Sequence, residues 1–258
     1  MLVAPPSALT REAIYLYGKL GTGKSSVWSN LAYWYRQQGN AGHFHVVSTE
    51  PERAYVMVEQ HPDWAENITV HEPERNFESL QATCKLVHSI ATKDDWMCVD
   101  SIGSAQDWVR NAWFEKNQGK SWREFQAAGQ SIREVQSHQW IQMGETYKQW
   151  MLDYVLGFPG HRIAIAQADT VNQDGTWDAG HIRDTYGRIG FKPIGYKNDD
   201  FYFHSVFYAG RSRDGKNLTL TTIKDKPQRQ MLENVEVMAL PGGFVATYLL
   251  PVAGWTMD

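Results

Sequence analysis

Only two of the 258 residues are cysteine, Cys84 and Cys98, and they form no C-x-x-C pair. That excludes a disulfide framework and a thiolate metal cluster, and it marks both as reduced core thiols of a chain expected in the cytoplasm. The sequence has no run of about 18 apolar residues of the kind that crosses a bilayer. Residues 1–10 lack the charged-then-apolar layout of a secretory leader, so no membrane partner is expected. Positive charge is not in excess either: Lys and Arg total 25 against 29 Asp and Glu, a net charge of −4. Coating of nucleic acid by bulk electrostatics is thereby excluded, while a local basic patch is not. His43 and His45 alternate on one strand face but lack a Cys or a third His at zinc-binding spacing. No internal repeat, low-complexity tract or linker divides the chain, and its length suits one α/β domain over residues 1–258.

What the sequence does contain is Gly18-Lys19-Leu20-Gly21-Thr22-Gly23-Lys24-Ser25, which fits G-x-x-x-x-G-K-[ST] at every fixed position. An apolar, β-prone run at 13–17 precedes it, and a helical pattern at 26–38, opening with Ser26, follows. Strand, glycine turn and helix are the context this motif requires. The glycines let successive backbone N–H groups converge on phosphate oxygens, and the helix start adds its unsatisfied N–H groups and positive dipole end. Lys24 is expected to reach the β- and γ-phosphates of ATP and the Ser25 hydroxyl to ligate Mg²⁺. A lysine at the position of Lys19 also marks a dimeric subclass of phosphate-loop ATPases, but that subclass has glycine where Leu20 stands. Lys19 therefore reads as a solvated loop residue.

Apolar runs at 13–17, 43–48, 68–71, 96–100 and 162–167 alternate with helical stretches, the mark of βαβ units and a mostly parallel sheet. Residues 104–115 and 121–156 read as helices separated by the turn-prone 117–120, and their tryptophans as helix-face packing. Residues 168–195 read as a long polar loop without clear period. Strands are expected at 201–208 and 218–223 around a basic hairpin tip at 211–216, with shorter ones at 235–238 and 244–250. The core thus spans about 13–229, with C-terminal strands in 230–258.

Three polar residues stand at strand ends. Asp100 closes an apolar strand and is placed to hold the Mg²⁺ water shell beside Ser25; helix capping is the alternative. Glu50 follows the strand at 43–48 and is the general-base candidate for activating water. It could instead cap a helix near Pro51, and Glu52 is the second catalytic candidate. Gln167 ends the strand at 162–167, where an amide can bond the γ-phosphate or simply satisfy local backbone. Basic charge gathers late: residues 192–229 hold Lys192, Lys197, Arg211, Arg213, Lys216, Lys224, Lys226 and Arg229 against four aspartates. A smaller surplus lies at 110–124, where Arg110, Lys116, Lys120 and Arg123 outnumber Glu115 and Glu124.

The order of phosphate loop, Glu50, Asp100-Ser101, Gln167 with its long loop, then Lys224-Asp225-Lys226-Pro227 resembles the RecA-like recombinase core over roughly residues 13–229. It is most similar to the small phage-encoded RecA-like ATPases of the recombination and single-strand-annealing kind, which would act in the host cytoplasm. The resemblance implies that Glu50 activates water, Gln167 senses the γ-phosphate, residues 168–195 contact single-stranded DNA, and Lys224 and Lys226 reach the nucleotide of an adjacent subunit in a homo-oligomer. Two departures stand out. The stretch before Ala13 is too short for the arm by which recombinases polymerise, and the inferred DNA loop is not basic, although Trp177, Tyr186 and Phe191 could stack on bases. Lys116, Lys120, Trp122 and Arg123 read as a solvated helix end, with a second DNA-facing loop as the alternative. Two other classes remain open: a small-molecule or nucleotide kinase with Arg211 and Arg213 as a lid, and a nucleotide-switched assembly or packaging ATPase.

Overall fold

The computed structural model describes residues 2–3, 11–50, 54, 58–59, 62–130, 135–172, 180–196, 199–226, 230–237 and 243–257. Among these, strand β1 (Leu2–Val3) leads to β2 (Ala13–Gly18), helix α1 (Lys24–Gln37) and β3 (Phe44–Ser48). Then come β4 (Ile68–His71), α2 (Phe77–Ile90), β5 (Trp96–Asp100), α3 (Ile102–Gln118), α4 (Trp122–Ala127) and α5 (Ser137–Trp150). A π-helical turn, Met151–Leu156, extends α5 into β6 (His161–Thr170), followed by α6 (Gly180–Tyr186), β7 (Phe191–Pro193), β8 (Ser205–Arg211), β9 (Leu218–Asp225), β10 (Val235–Val237) and β11 (Thr256–Met257).

The main sheet runs β10-β9-β8-β2-β6-β5-β3-β4, with β7 paired to β6 off that path. The strands from β8 to β4 are mutually parallel, and β9, β10 and β7 join antiparallel. This is the expected fold class: a mostly parallel sheet flanked by helices, with antiparallel strands toward the C-terminus.

Every residue of β2, β3 and β5 is buried, as strands covered on both faces must be. Along β2 the side chains divide between two cores. Ile14 and Leu16 pack with Trp28 and Leu31 of α1 and with Phe244, Tyr248 and Trp255. Tyr15 and Tyr17 pack on the other face with Leu80 of α2, Ile102 and Trp108 of α3 and Trp150 of α5. Each fully buried aliphatic side chain of this kind contributes about 1.5–3 kcal/mol by leaving water. A third cluster, Phe114, Trp122, Phe125, Val135 and Met143, sits outside both. Cys84 and Cys98 are buried and unpaired, and burial pushes the Cys84 thiol up to about 12.

Several expectations are corrected. The apolar run at 244–250 is a π-helical turn, Val245–Leu249, because Phe244, Val245, Tyr248 and Leu249 share one buried face at helical spacing. A short apolar run does not distinguish the two conformations by periodicity. The helix expected over 121–156 is broken between α4 and α5. The stretch 168–195 is not plain loop: β6 continues to Thr170, and β7 pairs back on it through Ala168↔Pro193 and Thr170↔Phe191 after α6.

Candidate nucleotide-binding site

The phosphate loop links the buried end of β2 to α1. Gly18 is opposite Gln167 of β6 on one side and Ala209 of β8 on the other. A Cβ on Gly18 would lie 2.3 Å from the Ala209 carbonyl oxygen, so only glycine permits this strand contact. Gly23 caps α1 with φ 92°, in the left-handed region that favours glycine. The Lys24 ammonium donates to the carbonyls of Gly18 and Lys19 at 2.9 Å each, which draws it across the loop. Lys19 turns outward, its ammonium 4.1 Å from the centre of the Phe191 ring.

These residues open onto a cavity of about 310 Å³. Leu20, Gly21, Gly23, Lys24, Ser25 and Ser26 form one side of it; Glu50, Asp100, Ser101, Ile165, Gln167 and Arg211 form the other. Thr22 lies beside them, its hydroxyl bonded to the Lys19 carbonyl at 2.9 Å.

Sheet register explains how the distant residues meet. Asp100, the last residue of β5, is opposite Ser48 of β3 and Ile165 of β6. Glu50 and Gln167 each lie two residues beyond those partners, and the Gln167 amide donates to Glu50 Oε1 at 3.1 Å. The Ser25 hydroxyl donates to Asp100 Oδ2 at 2.6 Å, and the Trp28 indole N–H reaches the same oxygen at 3.3 Å. A hydroxyl held against a carboxylate beside a phosphate loop is an oxygen donor set suited to Mg²⁺. Thr49 locks the floor: its hydroxyl donates to the Ser101 carbonyl at 2.7 Å and accepts from the Ser101 N–H at 2.8 Å.

The structure therefore brings Lys24, Ser25, Glu50, Asp100 and Gln167 together. It does not bring Lys224 or Lys226. Lys224 is opposite Val206, which is opposite Tyr15, about 10 Å back along the sheet from Gly18 at 3.3 Å per residue. Its ammonium donates to the Asp200 carbonyl at 3.1 Å and sits over the Phe201 ring at 4.3 Å. Burial there lowers its pKa, an effect opposed by Asp200. Lys226 donates to the Phe201 carbonyl.

The residues considered for DNA contact are also redistributed. Tyr186 is buried edge-on against Tyr17, and Phe191 stacks on Tyr208. Trp122 belongs to the third aromatic cluster. Glu52, Pro51, Trp177, Lys197, Pro227 and Arg229 lie outside the described residues.

Sequence reasoning assigned no nucleotide role to Trp28 or Thr49, and gave Arg211 only a place in a kinase lid. A signal for Trp28 existed, since it lies three residues after Ser25 on the same face of α1.

No family model matches the chain, and no curated protein matches it by sequence. The solved crystal structure of the RadB recombinase is similar to it with a TM-score of 0.52 at 13% sequence identity, over 91% of this chain and 87% of that one. The fold is RecA-like. At this identity the likeness speaks for the fold and leaves the chemistry to the residues themselves.

Proposed function

We propose that this chain is a Mg²⁺-dependent ATPase, one RecA-like domain over residues 1–258, that acts on single-stranded DNA in phage-type recombination, annealing or replication. The observation that carries this reading is the convergence on one cavity of the phosphate loop, the Ser25–Asp100 pair at 2.6 Å and the Glu50–Gln167 pair at 3.1 Å.

The loop N–H groups and Lys24 bind the polyphosphate. Ser25 and Asp100 would hold Mg²⁺, and the ion would supply neutralising charge to the phosphates. Glu50 takes the proton of the attacking water, and Gln167, bonded to it, holds that carboxylate in position. Lys224 and Lys226 are too far from the cavity of their own chain to contribute there. Their part in the reaction is at a neighbouring subunit's nucleotide, in a homo-oligomer with ATP at the interfaces.

The test is ATP hydrolysis with Mg²⁺, with and without single-stranded DNA, beside Lys24→Ala. Stimulation by DNA that vanishes in Lys24→Ala is the expected result, and hydrolysis indifferent to DNA would overturn the DNA role.

A phosphotransferase reading has one observation in its favour. A second cavity of about 490 Å³, between the start of α2 and the faces of α3 and α4, meets the first at Glu50 and is lined by Arg75, Arg123 and Asn111. A small acceptor bound there would face the γ-phosphate. ATP consumption that requires such an acceptor would favour that class.

A further inference from the structure

The second basic group of the cavity comes from β8, the strand that flanks β2 on the side away from Gln167. Arg211 is the last residue of β8, two residues beyond Ala209, the partner of Gly18. Its Nε and Nη2 both donate to the Gly21 carbonyl, at 3.1 and 2.6 Å, and its Nη1 donates to the Lys216 carbonyl at 3.1 Å. One guanidinium therefore ties the phosphate loop to the turn between β8 and β9. That turn is itself closed by Ser212 N–H to the Asn217 carbonyl at 3.0 Å, and Asp214 accepts from the Lys216 N–H at 3.1 Å.

Charge makes this placement matter. Among the described residues lining the cavity, Lys24 and Arg211 are basic, and Glu50 and Asp100 are acidic. Without Arg211, one lysine faces two carboxylates in a site meant for a polyanion. The Gly21 carbonyl is a neutral acceptor. A phosphate oxygen carries the opposite charge, so the guanidinium gains there a charge–charge attraction that the carbonyl does not offer. The planar guanidinium fork matches phosphate geometry bidentately.

We propose that Arg211 is a phosphate ligand supplied in cis, that it exchanges its bonds to the Gly21 carbonyl for bonds to the polyphosphate on binding, and that residues 212–217 move with it as a lid. This inference rests on the reading of the cavity as a nucleotide site.

The experiment is a titration of a fluorescent, non-hydrolysable ATP analogue with Mg²⁺ into the full chain and into Arg211→Ala, Arg211→Gln and Arg211→Lys, at two salt concentrations. Lys24→Ala serves as the control. Loss of a charge-assisted contact is expected to weaken binding by roughly tenfold or more in Ala, with partial recovery in Lys. Gln can still donate to Gly21 but carries no charge, and it is expected to bind as weakly as Ala. The salt dependence of affinity is expected to flatten in both neutral variants. Nucleotide is expected to slow amide exchange at 212–217 in the parent chain and not in Ala.

If Gln binds as tightly as the parent, Arg211 only buttresses the loop and the proposal is overturned. If Ala alone fails to fold, the Gln and Lys comparison still decides. If the parent chain itself binds no nucleotide, the reading of the cavity falls with it. Parent binding with unchanged Ala and Gln variants removes only the role of Arg211.

Discussion

Gln167 donates to Glu50 across the end of the strand that separates them: β5 lies between β6 and β3, and the 3.1 Å bond passes over its terminal residue, Asp100. The candidate base, the candidate phosphate sensor and the candidate metal ligand are thereby three neighbours along one sheet edge.

Replacing Glu50 with Gln keeps the shape and the bond to Gln167 while removing the basic oxygen. Turnover is expected to fall at least about 100-fold, the usual scale of a general base, with nucleotide affinity little changed. Single-turnover hydrolysis beside equilibrium binding checks this, and normal turnover in the variant would eliminate Glu50 as base.

Ser25→Ala and Asp100→Asn each remove one side of the 2.6 Å pair. Both are expected to raise the Mg²⁺ concentration needed for half-maximal hydrolysis, roughly 10–100-fold on the scale of lost metal-site interactions. A metal titration of activity measures it. Unchanged Mg²⁺ dependence in both variants would leave the pair as a helix-start contact alone.

If Lys224 and Lys226 act on a neighbour's nucleotide, Lys226→Ala is expected to lose hydrolysis while still binding ATP, on the order of 10³-fold if it acts like other trans-acting cations. Chains carrying Lys24→Ala mixed with chains carrying Lys226→Ala should then recover part of the activity, because each supplies what the other lacks. Mixtures no more active than the separate variants would argue for action within one chain.

Asp199 is buried, accepts from the Tyr147 hydroxyl at 2.9 Å and from the Tyr196 N–H at 2.8 Å, and faces Tyr15 and Asp200. Burial pushes its pKa up to about 8. With the folded value above the unfolded one, its stabilising effect is complete below the ordinary aspartate value near 3.8 and is lost as pH rises through about 8. Asp199→Asn stays neutral, so its stability is expected to be flatter over that window and higher than the parent's at the alkaline end. Denaturant unfolding from pH 4 to 9 checks the sign.

His161 accepts the Glu12 N–H on Nδ1 at 3.0 Å and stacks on Trp96, and burial lowers its pKa to about 3. His45, buried beside His43 and His71, is lowered to about 4. Depressed values mean stability present above the free histidine value and lost as pH falls toward 3. Histidine NMR shifts are expected to show both rings neutral at pH 5, where a solvated histidine is charged.

The parallel core was legible because its central strands are wholly buried and read as apolar runs, as β5 does over 96–100; β4, only partly buried, coincides with the apolar run at 68–71. The phosphate loop was legible because its chemistry is local, eight residues doing one task. The meeting of Glu50 with Gln167 was not, because it depends on strand order and register, which no local pattern specifies. Arg211 was hidden for the same reason: only the pairing of β8 with β2 lifts it over Gly21. The turn at 245–249 was misread because Phe244, Val245, Tyr248 and Leu249 offer an apolar run too short to fix its own period.

β6 does not stop at Gln167. It runs three residues further and is clasped there by β7, whose Phe191 is gripped by Tyr208 and by the hydroxyl of Tyr17 on its carbonyl. A slack segment after Gln167 would absorb a push from outside. A paired ribbon is braced: Val171, one residue past the strand, is itself buried and donates its N–H to the Gly190 carbonyl at 3.0 Å. The amide that touches Glu50 is therefore carried on ordered strand, and its 3.1 Å bond needs no loose segment to be fixed first.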